Sequence, residues 1–216
     1  TITMNGGKNS IDAANSTFTN VNIADTAAAT STVVNAKKID GGTIALKAGE
    51  TGLVATTLKA TVNFGAGENS LRSDNVTGGT VSVAAGGDSV FNIKTISNSA
   101  IIDASLGENT AISITGSAKD ATFKMGEGIN LLNASGKVLT NVTVTDAAGA
   151  TSTVLAGSIT GTASSIVLDG SADGNRVEVS GAIQNATVKT GDGVGTVSAG
   201  SLLNTEVTMG ASGSAD

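Results

Sequence analysis

One turn pattern returns about every twenty residues along the whole chain, and no other feature constrains the fold so strongly. A glycine, any residue, then Asn, Asp or Thr, followed by small polar and apolar residues, occurs as Gly7-Lys8-Asn9, Gly49-Glu50-Thr51, Gly67-Glu68-Asn69 and Gly86-Gly87-Asp88. It returns as Gly107-Glu108-Asn109, Gly128-Ile129-Asn130, Gly149-Ala150-Thr151 and, more loosely, Asp173-Gly174-Asn175. Ala28-Ala29-Thr30 and Gly193-Val194-Gly195 are degenerate copies in register. Successive anchors fall at 9, 30, 51, 69, 88, 109, 130, 151, 175 and 195, in steps of 18 to 24 residues.

Three apolar columns accompany the turns. The first holds Met4, Ile23, Leu46, Phe64, Val83, Ile102, Met125, Val144, Leu168 and Val188. The second holds Ile11, Val33, Leu53, Leu71, Val90, Leu132, Val154, Val177 and Val197, with Ala111 as a weak member. The third holds Phe18, Ile39, Leu58, Val76, Ile96, Leu139, Ile159, Ile183 and Leu203, with Ala118 weak. Two positions beyond it stand Asn20, Gly41, Gly78, Asn98, Asp120, Asn141, Gly161 and Asn185, residues that accept the left-handed backbone of a sharp corner. Ala60 and Thr205 break that series.

Between corners the pattern alternates with period two and is rich in β-branched residues, as in Thr61-Val62-Asn63-Phe64 and Thr80-Val81-Ser82-Val83, so these segments are strands. About twenty residues with three inward columns make one three-faced rung, and parallel stacking gives each inner strand a partner above and below. The expected fold is all-β: a right-handed parallel β-helix of about ten rungs, one unit over residues 1–216. The uneven steps favour the right-handed form over a strict 18-residue left-handed one. The absence of proline agrees with a ladder that needs its N–H donors.

Composition explains how such a core is filled. Four Phe are the only aromatics among 216 residues, so small apolar side chains pack a narrow interior. Phe18 and Phe64 fall in core columns and Phe123 beside one, which leaves Phe91 at the surface. With no Cys there is neither a disulfide framework nor a thiolate metal site. A net charge of −6 without a basic run argues against nucleic acid or an anionic membrane as partner, and no segment is long and apolar enough to span a bilayer. With no His and no Cys the usual nucleophile–base pairs are missing, and the expectation is no enzyme. The outward strand position reads Thr3, Ala45, Asn63, Ser82, Lys124, Thr143, a series whose Lys breaks any threonine array of the kind that binds ice.

Gly65-Ala66-Gly67-Glu68-Asn69-Ser70-Leu71 resembles the Gly-Gly-x-Gly-x-Asp-x-Leu-x calcium nonapeptide of secreted bacterial repeat proteins. Met125-Gly126-Glu127-Gly128-Ile129-Asn130-Leu131 and Thr190-Gly191-Asp192-Gly193-Val194-Gly195 are poorer matches, and the family's Asp is replaced by Asn, Thr or Gly in nearly every rung. In composition and repeat style the chain is closer to the Ala/Gly/Thr/Asn-rich β-strand repeats of bacterial surface-layer proteins and large adhesins. That likeness implies a structural part in an extracellular, cell-surface assembly, with neighbouring repeats or further copies as partners. Asn9, Thr30, Thr51, Asn69, Asp88, Asn109, Asn130, Thr151 and Asn175 are then expected as a structural turn ladder. No cofactor is required by that expectation. The alternative is a calcium-dependent adhesive module for glycans, with Glu50 and Glu68 on adjacent rungs and Asp169, Asp173 and Asp192 near the end as metal ligands.

Overall fold

A computed structural model describes residues 1–26, 28–47, 49–169, 174–191, 193–210 and 214–215. Its strands join in one 16-stranded sheet, every pairing in it is parallel, and the described residues contain no helix. The chain coils as a β-solenoid of about ten turns. Several strands run through two corners without a break, as Ala29–Leu46 and Glu50–Phe64 do.

Each rung has three faces. The first, carrying Ile2–Met4, Ile23–Asp25 and Thr80–Val83, leads through a glycine-rich corner to the second. The second begins at the polar ladder residue, and a second corner leads to the third. The third ends at the left-handed corner and returns the chain to the first face.

Inward columns fix the register. On the third face Phe18, Ile39, Leu58, Val76, Ile96, Ala118, Leu139, Ile159, Ile183 and Leu202 lie directly above one another. Leu202 takes the position expected for Leu203. The second face stacks Ile11, Val34, Leu53, Leu71, Phe91, Ile112, Leu132, Val154, Val177 and Val197. Here Val34, Phe91 and Ile112 replace the expected Val33, Val90 and Ala111. The reason is that these rungs lengthen their first corner by a residue or two, and a one-residue slip exchanges the faces of every side chain that follows. Phe91, expected at the surface, is fully buried and stacks on Phe64 with ring centroids 5.9 Å apart.

The first face holds two inward columns where the sequence pattern suggested one. Ile23, Ile44, Val62, Val81, Ile102, Phe123, Val144, Ile166 and Val188 form one of them. The other, two residues later, includes Met4, Leu46, Phe64, Val83, Met125 and Leu168, all buried. Alternation along the strand makes both face inward.

The third corner behaves as its composition demands. Asn20, Asn98, Asp120, Asn141 and Asn185 have φ between 50° and 59°, and Gly41, Gly78 and Gly161 between 79° and 101°. Asn204, at φ 48°, supplies the last of these corners where Thr205 had seemed to break the series. At Ala60 the turn is one residue shorter, with four positions from Leu58 to Val62 where Ile39 to Ile44 takes five, and it contains no left-handed residue.

Candidate functional site

The first corner concentrates polar chemistry, and it closes in two ways. Where an asparagine stands five positions after the last inward residue of the first face, the carboxamide folds back into the turn. Nδ2 of Asn9, Asn69 and Asn130 donates to the carbonyls of Asn5, Gly65 and Gly126 at 2.9, 3.0 and 2.9 Å. Asn175 does the same across a longer corner to Leu168, 3.1 Å away. Where the corner is longer and ends in Ser or Thr, a backbone turn replaces the carboxamide. Gly87 N–H donates to Ala84, Gly107 to Ala104 and Ala150 to Ala147, at 3.2, 2.8 and 3.2 Å. The hydroxyls of Ser89 and Thr110, relieved of that task, have no hydrogen-bond partner.

The ladder itself therefore reads Asn9, Thr32, Thr51, Asn69, Ser89, Thr110, Asn130, Ser152 and Asn175. Asn9, Thr51, Asn69, Asn130 and Asn175 stand where the sequence placed them. Thr30, Asp88, Asn109 and Thr151 do not. They precede the inward position by one residue (two for Thr30), because the extra corner residue shifts the anchor outward. Asp88 and Asn109 face solvent instead, with Asn109 N–H and Nδ2 donating to Asp88 Oδ1 at 3.0 and 3.1 Å. Asp25 was not foreseen: it occupies an inward position between Met4 and Leu46. Its carboxylate accepts from the buried Thr32 hydroxyl at 2.7 Å and from Lys47 N–H.

Glu50, Glu68 and Asp88 form an exposed column on three successive rungs. The column borders a shallow notch floored by Gly52 and Ser70 and bounded along the rod by Val33 and Val90. Asp169 is far from these residues, about 29 Å from Glu50 over six rungs and about 19 Å from Asp88 over four, and pairs with Lys189 at 3.0 Å. Asp173 and Asp192 lie outside the described residues. Among those described, no three acidic groups converge on a point that would hold a metal ion.

Outside the notch, the first face carries a row the sequence pattern concealed: Thr43, Thr61, Thr80, Ile101, Thr122, Thr143, Ser165 and Thr187. Thr143 belongs to this row and not with Lys124, which neighbours Asp103 and Thr145. Two carboxylates elsewhere are shifted. Burial pushes Asp103 upward, but hydrogen bonds from Lys124 and Ser105 outweigh it and hold the group below its ordinary value. Lys38 bonds Asp40 and lowers it in the same way.

Set against family models, curated proteins and solved structures, the chain matches none.

Proposed function

We propose that this chain is a rod-like structural segment of an extracellular bacterial or archaeal surface assembly, such as a surface layer, fibre or adhesin stalk. The observation that carries this reading is the unbroken parallel ladder along the rod. Strand pairing connects every rung to the next, so a pull along the axis is shared by many backbone hydrogen bonds at once. A rod of this kind lengthens by adding rungs, whether from its own chain or from another copy. At the first and last rungs the inward columns are only partly covered: Ile11, Phe18, Val207 and Met209 are half-buried, and Leu202 is 47% exposed.

The reading is tested by electron microscopy of the native assembly and by sedimentation of the purified chain. The expected result is sheet or filament in the first, and concentration-dependent end-to-end association in the second. Charged substitutions at Phe18 and Leu202 should suppress that association. A chain that stays monomeric at high concentration and labels inside cells would overturn the proposal.

A further inference from the structure

Asn5 is the only asparagine in the sequence that is followed by glycine. The pair lies in a first corner, between the strands Ile2–Met4 and Gly7–Thr19, and both residues are exposed. The Asn5 main-chain carbonyl accepts from Asn9 Nδ2 at 2.9 Å. The Asn5 carboxamide and the Gly6 N–H, by contrast, enter no hydrogen bond found among the described residues. A carboxamide one residue before a glycine can be attacked by the glycine nitrogen, because no Cβ crowds the approach. A backbone N–H already donated to a carbonyl is held away from that reaction.

Four other asparagines precede a serine, whose Cβ crowds the nitrogen, and three of them are also held by hydrogen bonds. Asn9 Nδ2 donates to the Asn5 carbonyl at 2.9 Å. Asn69 is buried, and its Nδ2 donates to the Gly65 and Gly67 carbonyls at 3.0 and 2.9 Å. Asn98 is exposed, but the N–H that follows it, on Ser99, donates to the Asp120 carbonyl at 2.7 Å. Asn15 is exposed, so the serine alone sets it apart from Asn5.

We propose that Asn5–Gly6 is a site of spontaneous covalent modification in the folded chain, and that the reaction unfastens the corner closed by Asn9. The Gly6 nitrogen loses its proton and bonds to Asn5 Cγ. The Cγ–Nδ2 bond breaks, and Nδ2 leaves as ammonia with that proton. Water then opens the cyclic imide at either carbonyl, giving aspartate or isoaspartate. No electrons are exchanged, and water is the only co-reactant. Both products put a carboxylate where a neutral amide stood. In isoaspartate the main chain runs through Cβ and Cγ, so the corner gains an atom and the carbonyl that Asn9 bonds becomes a free carboxylate. The inference does not rest on the assembly reading. The test ages the whole chain and Asn5→Gln, whose longer side chain closes the ring far more slowly, in dilute, mildly alkaline buffer. Each is held folded and in urea, with circular dichroism to establish the fold. Peptide mass spectrometry locates conversion, enzymatic methylation counts isoaspartate, and hydrogen exchange follows the amides of Gly7–Ala13. Asn5 should convert in the folded chain within about threefold of its rate in urea, since no hydrogen bond must open first. Asn69 and Asn98 should persist in the folded chain and convert in urea. The aged chain should exchange faster across Gly7–Ala13 than Asn5→Gln aged alike. Conversion of Asn5 in urea alone, or a folded chain in which Asn15 converts first, would overturn the site. Equal exchange in the converted chain and the variant would overturn the unfastening.

Discussion

Asn130 closes its own corner, with Nδ2 donating to the Gly126 carbonyl at 2.9 Å while Oδ1 accepts from Thr110 N–H on the previous rung at 3.1 Å. One carboxamide thus shapes the turn and ties two rungs together in a place water does not reach. Asn130→Ala strands both backbone groups and should cost about 3 kcal/mol, read as a lower urea midpoint with an unchanged slope. Asn109→Ala, at the solvent-facing position, should cost about 1 kcal/mol, because water replaces the lost partners. Equal losses would contradict the inward placement of the ladder.

Phe91 and Val90 provide the sharpest test of register. Phe91 is fully buried and Val90 is 51% exposed. Phe91→Ala should destabilise by about 3–5 kcal/mol and Val90→Ala by under about 1 kcal/mol. The reverse order would restore the register that the sequence pattern alone suggests. Val83→Asp should likewise cost several kcal/mol through a buried charge, whereas Ser82→Asp on the same strand should cost little.

Those two residues also show where legibility ended. The rung period, the third column up to Ile183 and most left-handed corners were plain in the sequence, because Asn, Asp and Gly accept a conformation that other residues avoid. The second column is misread in three of the rungs whose first corner is longer. In the rungs of Val34, Phe91 and Ile112 both residues of the adjacent pair are apolar, or one is alanine, so spacing from the anchor had to decide and it slipped by one. Corner length varies even with the same closing residue, since Asn175 closes a longer corner than Asn69, and which neighbour then turns inward is a three-dimensional fact. The members of the row from Thr43 to Thr187 lie on different rungs, tens of residues apart, and only stacking brings them into line.

Gly79 and Gly136 both have positive φ, at 80° and 68°. A Cβ on Gly79 would sit 2.3 Å from the Ala60 carbonyl oxygen, whereas one on Gly136 meets nothing within 4 Å. Alanine at Gly136 should therefore cost only the left-handed backbone penalty, about 1–2 kcal/mol. Alanine at Gly79 adds a clash with backbone that cannot rotate away, and should cost at least about 2 kcal/mol more. Thermal unfolding of the two variants side by side measures the difference.

Calcium should not act as a folding switch. The corners are closed by the chain's own carboxamides and backbone turns, and Glu50, Glu68 and Asp88 line up without converging on a metal. Strand content by circular dichroism should survive excess chelator, with a thermal midpoint unchanged within error. Loss of the β spectrum on chelation would make ligands of Glu50 and Glu68 and restore the adhesive alternative.

Asp103 and Lys124 form an ion pair of 2.8 Å between adjacent rungs, with the aspartate side chain 26% exposed. Because the folded carboxyl sits below its unfolded value, the folded state holds the anion more firmly than the unfolded chain does. The sign follows: the unfolded state binds the proton more readily, so this pair contributes stability above the unfolded value of about 3.9 and loses it as pH falls through the lower folded value. Lys124→Met removes the partner and leaves the burial cost, so the variant should be less stable than the parent at neutral pH. That difference should narrow once the pH falls below about 4, where the parent's aspartate is also being protonated. Urea titrations of both proteins between pH 7 and pH 2.5 measure it, and a difference that stays constant or widens toward acid would show that Lys124 acts through packing of its stem and not through the Asp103 charge.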